Sequence, residues 1–336
     1  MGYKGRQLVP SGLTYIADNI KNKGNILGLP ASYRAGWAGG IKFSEDKSTL
    51  FFAGCGYQYA DMLEPLVNVI KTADKMTDNP DLPMLMSSIP RKFGIDATRL
   101  LGSALSRQSK KADNILKDAI NVLKAIGIEP GYLGQDEPCC GAPLYHSGFQ
   151  QDYALVVRQA YERFAAAGVR RIISIVPSCT YALRDLAGKI LPEKTIEVKH
   201  FIEVLADNIS SIKLEYPQSV KVTYHDPCQL GRYMGLIEQP RRVLKSIKNL
   251  ELVEAQWTSG EWSTCCGGGG GFEVVFPDIS YSLSINRIEE LIATGADIIV
   301  TQCPGCMLQL RSGLKGTKRE NIEVLDLATL VARAII

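Results

Sequence analysis

GVRRIISIVPSCTYALR, from Gly168 to Arg184, and GADIIVTQCPGCMLQLR, from Gly295 to Arg311, lie one in each half of a 336-residue chain. Laid side by side without a gap, Pro177 meets Pro304, Cys179 meets Cys306, Leu183 meets Leu310 and Arg184 meets Arg311. The same register puts Val176 opposite Cys303. A repeat at this scale has to be settled before any local reading, because it decides how many units the chain folds into. This one extends outward in both directions. TIEVKHFIEVLADNI, beginning at Thr195, echoes NIEVLDLATLVARAI, beginning at Asn321. Cys139-Cys140-Gly141 echoes Cys265-Cys266-Gly267, and STLFFAGC, ending at Cys55, echoes VKVTYHDPC, ending at Cys228.

Each half therefore reads as strand, Cys, helix, strand, Cys-Cys-Gly, helix, strand, Cys, helix, strand, helix. Short β-branched runs (Ile172 to Val176, Val220 to Tyr224, Ile298 to Thr301) alternate with helical periodicity over Asp113 to Ile126, Tyr153 to Ala167 and Tyr281 to Thr294. Such alternation predicts βαβ units with parallel strands. The expected fold is α/β: two related Rossmann-like lobes with parallel sheets and a pseudo-twofold internal repeat. The first lobe is expected over 48–215 and the second over 216–336. Functional groups in parallel sheets collect beyond the carboxyl ends of the strands, and every cysteine cluster follows a strand, so two sites should face each other. The separation between Cys55 and Cys139 exceeds that between Cys228 and Cys265 by about 47 residues, which places an insertion near 74–111, where NPDLPMLMSSIP breaks periodicity. Residues 1–47 fit neither half and read as a docking arm.

Composition excludes several classes. Lys plus Arg is 38 against 35 for Asp plus Glu, with no concentrated run, which argues against a dedicated nucleic-acid binder. No apolar stretch approaches the roughly 18 residues that span a bilayer. The opening MGYKGRQLVP lacks the apolar core of a signal peptide, so a cytoplasmic location is expected, with membrane association only through partner subunits.

Nine cysteines in a reducing compartment point to metal or redox chemistry rather than a disulfide framework. The second half carries Cys228, Cys265, Cys266, Cys303 and Cys306. A structural zinc takes four ligands, so five thiolates leave one spare. A vicinal disulfide is awkward, because adjacent Cα atoms sit about 3.8 Å apart, shorter than the usual span of about 4.4 Å or more. An iron–sulfur cluster is the better tenant, although ordinary clusters also use four cysteines. Five glycines, Gly267 to Gly271, follow the pair at once. Gly267, Gly268 and Gly269 are expected to let backbone approach the cluster and aim N–H donors at it.

A Cys, then Cys-Cys, then Cys-x-x-Cys at these separations, together with the blocks HDPCQLGR, CCGGGGGF and CPGCMLQL, resembles the cysteine-rich CCG domain of heterodisulfide reductase catalytic subunits and their relatives. The resemblance runs from Leu50 to Ile336. It implies a noncubane [4Fe-4S] cluster on Cys228, Cys265, Cys266, Cys303 and Cys306. The first half keeps only Cys55, Cys139, Cys140 and Cys179, as in a subset of relatives, and a [4Fe-4S] cluster, zinc or a vestigial site are the candidates there. The chain lacks the C-x2-C-x2-C-x3-C-P run of ferredoxins. Electrons are therefore expected from a ferredoxin-like partner subunit of a larger complex. The fragment GNILGLP with Arg34 and Trp37 is similar to the segment joining ferredoxin and CCG regions in fused relatives.

The function this implies is reduction of a substrate disulfide, or the reverse oxidation of thiol or persulfide, at the second centre, with Cys265, Cys266 and His225 as the catalytic candidates. His225 and Asp226, at a strand end before Cys228, could each deliver a proton, or be satisfied polar groups. His146 reads as a bystander to the first centre and His200 as structural. Arg232, Arg241 and Arg242 could attract an anionic thiol or cover a helix surface. One rival is an electron-transfer subunit for a glycolate- or lactate-type dehydrogenase, against which the complete Cys303-x-x-Cys306 argues. The other is a metal-stabilised scaffold without turnover.

Overall fold

A computed structural model describes residues 9–60, 62, 112–317, 319 and 321–336. The expected insertion near 74–111 lies outside these residues. The first lobe is built on β1 (Thr49–Phe52), β2 (Arg171–Ser174) and β3 (Glu197–His200) in that spatial order. The second is built on β4 (Glu215–Tyr224), β5 (Lys248–Leu252), β6 (Ile298–Thr301) and β7 (Glu323–Asp326), ordered β5-β4-β6-β7. Every pairing within both sheets is parallel.

Register shows the repeat most directly. Thr49 pairs with Arg171 in the first sheet and Val222 with Ile298 in the second, the same partners under the sequence alignment. Arg171 with Glu197 and Ile298 with Glu323 repeat the match one strand further on. The place of β5 is taken in the first lobe by a single bridge, Gly131 to Leu50. Strands covered by helices on both faces bury nearly every side chain, and β6 is buried throughout.

The helix after each Cys-Cys-Gly obeys one burial pattern. In Gln150–Ala166 the buried positions are Tyr153, Val157, Ala160, Tyr161 and Phe164. In Pro277–Ile292 they are Ser280, Ser284, Arg287, Ile288 and Leu291. Both follow the i, i+4, i+7, i+8, i+11 stripe of a helix lying on a core. The second helix begins four residues before the expected start because Pro277, with its fixed φ and missing N–H, suits a first helical turn.

The lobes share one hydrophobic core. The closing helix of the second lobe, Leu327–Ala334, packs on Ala112–Ala125 of the first, and Thr329 Oγ1 donates to Asp118 at 2.8 Å. The described part of the N-terminal segment also belongs to this body. Trp37 is buried against Phe43, Phe51 and Tyr132 and donates Nε1–H to Tyr132 Oη at 3.1 Å. Arg34 is buried too, so these two residues pack into the body of the first lobe.

Candidate metal centres

Each centre is assembled from three loops that leave the carboxyl ends of neighbouring parallel strands. In the first lobe Cys55 follows β1, Cys139-Cys140 precede the short helix Ala142–His146, and Cys179 lies in the helix Pro177–Tyr181 after β2. All four line one small cavity with Arg34, Gln58 and Glu137. Cys140 Sγ and Cys179 Sγ are 3.1 Å apart. Hydrogen bonding to Cys139 and burial push the Cys55 thiol up, while hydrogen bonds from Cys140 and Cys55 hold Cys139 well below the usual thiol range. Glu137 anchors the loop from beneath. Its buried carboxylate accepts from the N–H of Ala53 and Gly54 at 2.9 and 3.0 Å and from Gln58 at 2.8 Å.

In the second lobe Cys228 follows β4, Cys265-Cys266 precede the glycine run, and Cys303 and Cys306 follow β6. Cys266 Sγ and Cys306 Sγ lie 3.3 Å apart. Burial, then the neighbouring Cys303 and Cys266, push Cys228 up to about 11. Hydrogen bonds from Cys265 and Cys306 hold Cys266 well below the usual range, and Cys306 is raised by the same contact with Cys266 and by Cys303. The five thiols thus form one interacting set. Cys265 is exposed and Cys228 and Cys303 are half-buried, whereas in the first lobe Cys55 alone is half-buried and Cys139, Cys140 and Cys179 are buried. The second centre is the more open of the two.

The donor sets fit iron–sulfur clusters: several convergent thiols, a Gly N–H on the first sulfur of each vicinal pair, and one more thiol in the second lobe than a zinc tetrahedron uses. Gly141 donates to Cys139 Sγ at 3.4 Å and Gly267 to Cys265 Sγ at 3.3 Å. Both glycines have positive φ, and a Cβ would meet Tyr153 at 2.9 Å or the Ser280 carbonyl at 2.2 Å, two equivalent positions on the following helices. The rest of the glycine run departs from expectation. Gly268 leaves room for the Gln309 side chain, and Gly269 donates its N–H to Glu273 rather than toward the cysteines. Close packing on two helices and a local cap account for these glycines.

The centres touch across the seam. A Cβ on Gly56, beside Cys55, would come 2.7 Å from Pro304, between Cys303 and Cys306. Reciprocally, the π-helical turn Gln229–Tyr233 after Cys228 packs on Pro177–Tyr181. Tyr57 donates its hydroxyl to Asp326 at the end of β7, tying the first cysteine loop to the second sheet. Val176 fills the space of the missing thiol and packs against Gly54.

Of the other candidates, Asp226 forms a buried bidentate pair with Arg241 at 2.8 and 2.9 Å and accepts from the N–H of Gly260. This engagement removes Asp226 as a free acid and Arg241 as a substrate anchor. Arg232 donates to the carbonyls of Glu261 and Ser263, and Arg242 faces Asp207 at 3.4 Å. His200 caps the helix Phe201–Asp207, as a structural residue would. His146 sits at the seam, its Nε2 3.5 Å from Gln229 Nε2. His225 is buried with a ring nitrogen near Cys266 and Cys306, all three donor atoms lying within 4.8 Å of one another. The sequence reading missed Glu137, Tyr57, Asp326 and Arg287. The repeat carries a signal for two of them, since Tyr57 stands opposite Leu230 and Arg287 opposite Ala160, whereas Glu137 and Asp326 stand opposite Ser263 and His200, which are themselves buried and polar.

The model of the CCG cysteine-rich domain matches residues 103–184 and 222–311, one copy per half. A dihydromethanophenazine:CoB–CoM heterodisulfide reductase subunit from Methanosarcina acetivorans is 36% identical over 223 residues, covering 64% of this chain and 53% of that protein. A fumarate reductase (CoM/CoB) subunit from Methanothermobacter marburgensis is 33% identical over 219 residues, covering 64% and 42%. EtfAB:quinone oxidoreductase from Syntrophomonas wolfei is 34% identical over 226 residues, covering 64% and 31%. The chain spans about half the length of the heterodisulfide reductase protein that it matches. Among solved structures, a hypothetical protein from Helicobacter pylori superposes with a TM-score of 0.51 at 16% identity, covering 66% of this chain and 45% of that one, a likeness of fold alone. No described helix is long and apolar enough to cross a membrane.

Proposed function

Because this chain belongs to the CCG cysteine-rich domain family, with one copy of the domain in each half, we propose that it is the iron–sulfur subunit of a heterodisulfide reductase-like complex. The observation that carries the reading is the contrast between the centres: five interacting thiols with an exposed Cys265 in the second lobe, four thiols in the first of which three are buried and Cys55 is half-buried. The more open centre is the place for substrate and the other for electron passage.

Cys228, Cys265, Cys266, Cys303 and Cys306 would hold a noncubane [4Fe-4S] cluster, and Cys55, Cys139, Cys140 and Cys179 a second centre of [4Fe-4S] or zinc type. A bound iron cluster supplies electrons one at a time and an iron atom with affinity for thiolate. In the overall reaction one S–S bond breaks, two electrons and two protons are taken up, and two thiols leave; thiol oxidation is the reverse. The chain's own residues orient and shield. Gly141 and Gly267 place N–H dipoles on ligand sulfurs, and such bonds set cluster potential. Tyr57, through Asp326, ties the first cysteine loop to the end of β7 in the second sheet. Electrons come from a ferredoxin-like partner subunit.

Likeness to EtfAB:quinone oxidoreductase favours a second reading, that of an electron-transfer subunit for a dehydrogenase. Adding a thiol to the oxidised, anaerobically purified complex separates the two. On the first reading thiol changes the paramagnetic resonance of the second centre, and Cys303→Ser loses that response together with disulfide turnover. A signal indifferent to thiol would favour the relay.

A further inference from the structure

His225 directly follows β4, and on one side its ring meets Arg287, a fully buried arginine from the middle of the helix Pro277–Ile292. Arg287 Nε donates to His225 Nδ1 at 3.0 Å. The remaining guanidinium nitrogens are held in place as well. Nη1 donates to the Thr258 carbonyl at 2.9 Å and to Glu290 at 2.7 Å, and Nη2 to Ser263 Oγ at 3.2 Å. The guanidinium is thus fixed in position and orientation.

The chemistry of this contact allows one assignment. A guanidinium has only donors and keeps its proton at every accessible pH, so the nitrogen it faces must offer a lone pair. Neutral imidazole has one lone-pair nitrogen and one N–H. With the lone pair of Nδ1 spent on Arg287, the hydrogen sits on Nε2, and no lone pair is left for a metal. Metal-binding histidines are held in the opposite way, giving their N–H to an acceptor in the protein and their lone pair to the metal. The short distances among His225, Cys266 and Cys306 would by themselves suggest a mixed His/Cys ligand set; Arg287 forbids it.

The pair also tracks the asymmetry of the lobes. Under the repeat, Phe52 stands opposite His225 and Ala160 opposite Arg287, and both are fully buried. The lobe with five thiols has histidine and arginine at these positions; the lobe with four has neither. A nearby His225 also favours the thiolate form of Cys266.

We propose that Arg287 is a positioning residue that claims the single lone pair of His225, so that His225 serves the second centre as a fixed N–H donor to ligand sulfur and neither as a ligand nor as a source of protons. The inference deepens the reading of that site as a metal centre, and its first test is independent of bound metal. The chain has three histidines, His146, His200 and His225, so 15N-histidine labelling gives a spectrum of three rings, assigned with His225→Phe. His200 is an internal standard, since its Nδ1 accepts from the N–H of Ile202 and its Nε2 faces the Ile175 carbonyl. The expected result is an Nε2–H tautomer for His225 matching His200, and loss of that fixed state in Arg287→Met with His200 unchanged. An Nδ1–H tautomer in the unmodified chain overturns the proposal even if Arg287→Met does not fold.

The second test reads the loaded centre by anaerobic iron analysis and potentiometry. His225→Phe should keep the iron content and lower the midpoint potential, because N–H donors to sulfur stabilise the more negative, reduced cluster. His225→Gln, which retains an N–H donor, should restore the potential. Iron lost in both variants would make His225 a ligand and refute the proposal. If the unmodified chain holds no iron, the functional reading fails, while the tautomer still decides the role of Arg287.

Discussion

Replacing Gly267 by alanine is expected to destabilise the second lobe by about 2–5 kcal/mol. Two costs add. The residue has φ +91°, where an L side chain is disfavoured by about 1–2 kcal/mol. The new Cβ would lie 2.2 Å from the Ser280 carbonyl oxygen, a backbone atom of the helix Pro277–Ile292, which yields only if the helix moves. Overpacking of that kind costs about 1–3 kcal/mol. Gly269→Ala is the matched control: φ is +110° but the site opens on free space, so only the backbone cost of about 1–2 kcal/mol remains. Gly141→Ala should fall between them, since its Cβ meets the ring of Tyr153, a side chain, at 2.9 Å. Anaerobic urea unfolding of the three variants measures the order. A Gly267→Ala variant no less stable than Gly269→Ala would refute the packing argument for the glycine that follows each cysteine pair.

Val176→Cys should change stability by less than about 1.5 kcal/mol, as near-isosteric swaps do, and should alter the metal spectrum of the first lobe without changing the thiol response of the second; metal analysis and paramagnetic resonance check both. Burial pushes His200 down to about 3 from an ordinary value of 6.5, so between those values the unfolded chain binds a proton that the native chain refuses. This contribution is complete above pH 6.5 and declines as pH falls toward 3, with a slope of up to about 1.4 kcal/mol per pH unit; urea unfolding across pH should show a shallower decline in His200→Gln, and an unchanged slope would count against it. Trp37→Ala should cost about 3–5 kcal/mol by unfolding, as for a buried aromatic side chain, whereas a neutral result would place the segment outside the lobe.

The sheets, their parallel pairing and the three-loop origin of each centre were legible because the chain states its plan twice. Two copies of one pattern fix register, as Thr49 with Arg171 and Val222 with Ile298 demonstrate. What escaped notice lies where the copies differ. Arg287 occupies a core position of a helix stripe, and a charged residue there has no meaning until its partners from Thr258, Ser263, Glu290 and His225 are assembled from distant segments. Asp226, two residues before Cys228, could be read from sequence as a proton donor or as a satisfied polar group, and only the fold decides, because its oxygens are claimed by Arg241 from the helix Glu238–Lys245. The Gly24 to Trp37 fragment reads as an arm because it lies outside the repeat; in the structure Arg34 lines the first cysteine cavity and Trp37 packs on Tyr132 in the neighbouring core. The glycines of the Gly267 to Gly271 run, uniform in sequence, divide in the structure between a sulfur contact, two helix contacts and a cap.

The central claim is that the second-lobe thiols hold an iron–sulfur cluster. Iron and acid-labile sulfide counted per chain after anaerobic purification, in the unmodified protein and in Cys266→Ser, test it most directly. The account predicts both elements in the unmodified protein and a loss or conversion of the cluster in the variant. Absence of sulfide, or equal iron and sulfide in the two proteins, would contradict it.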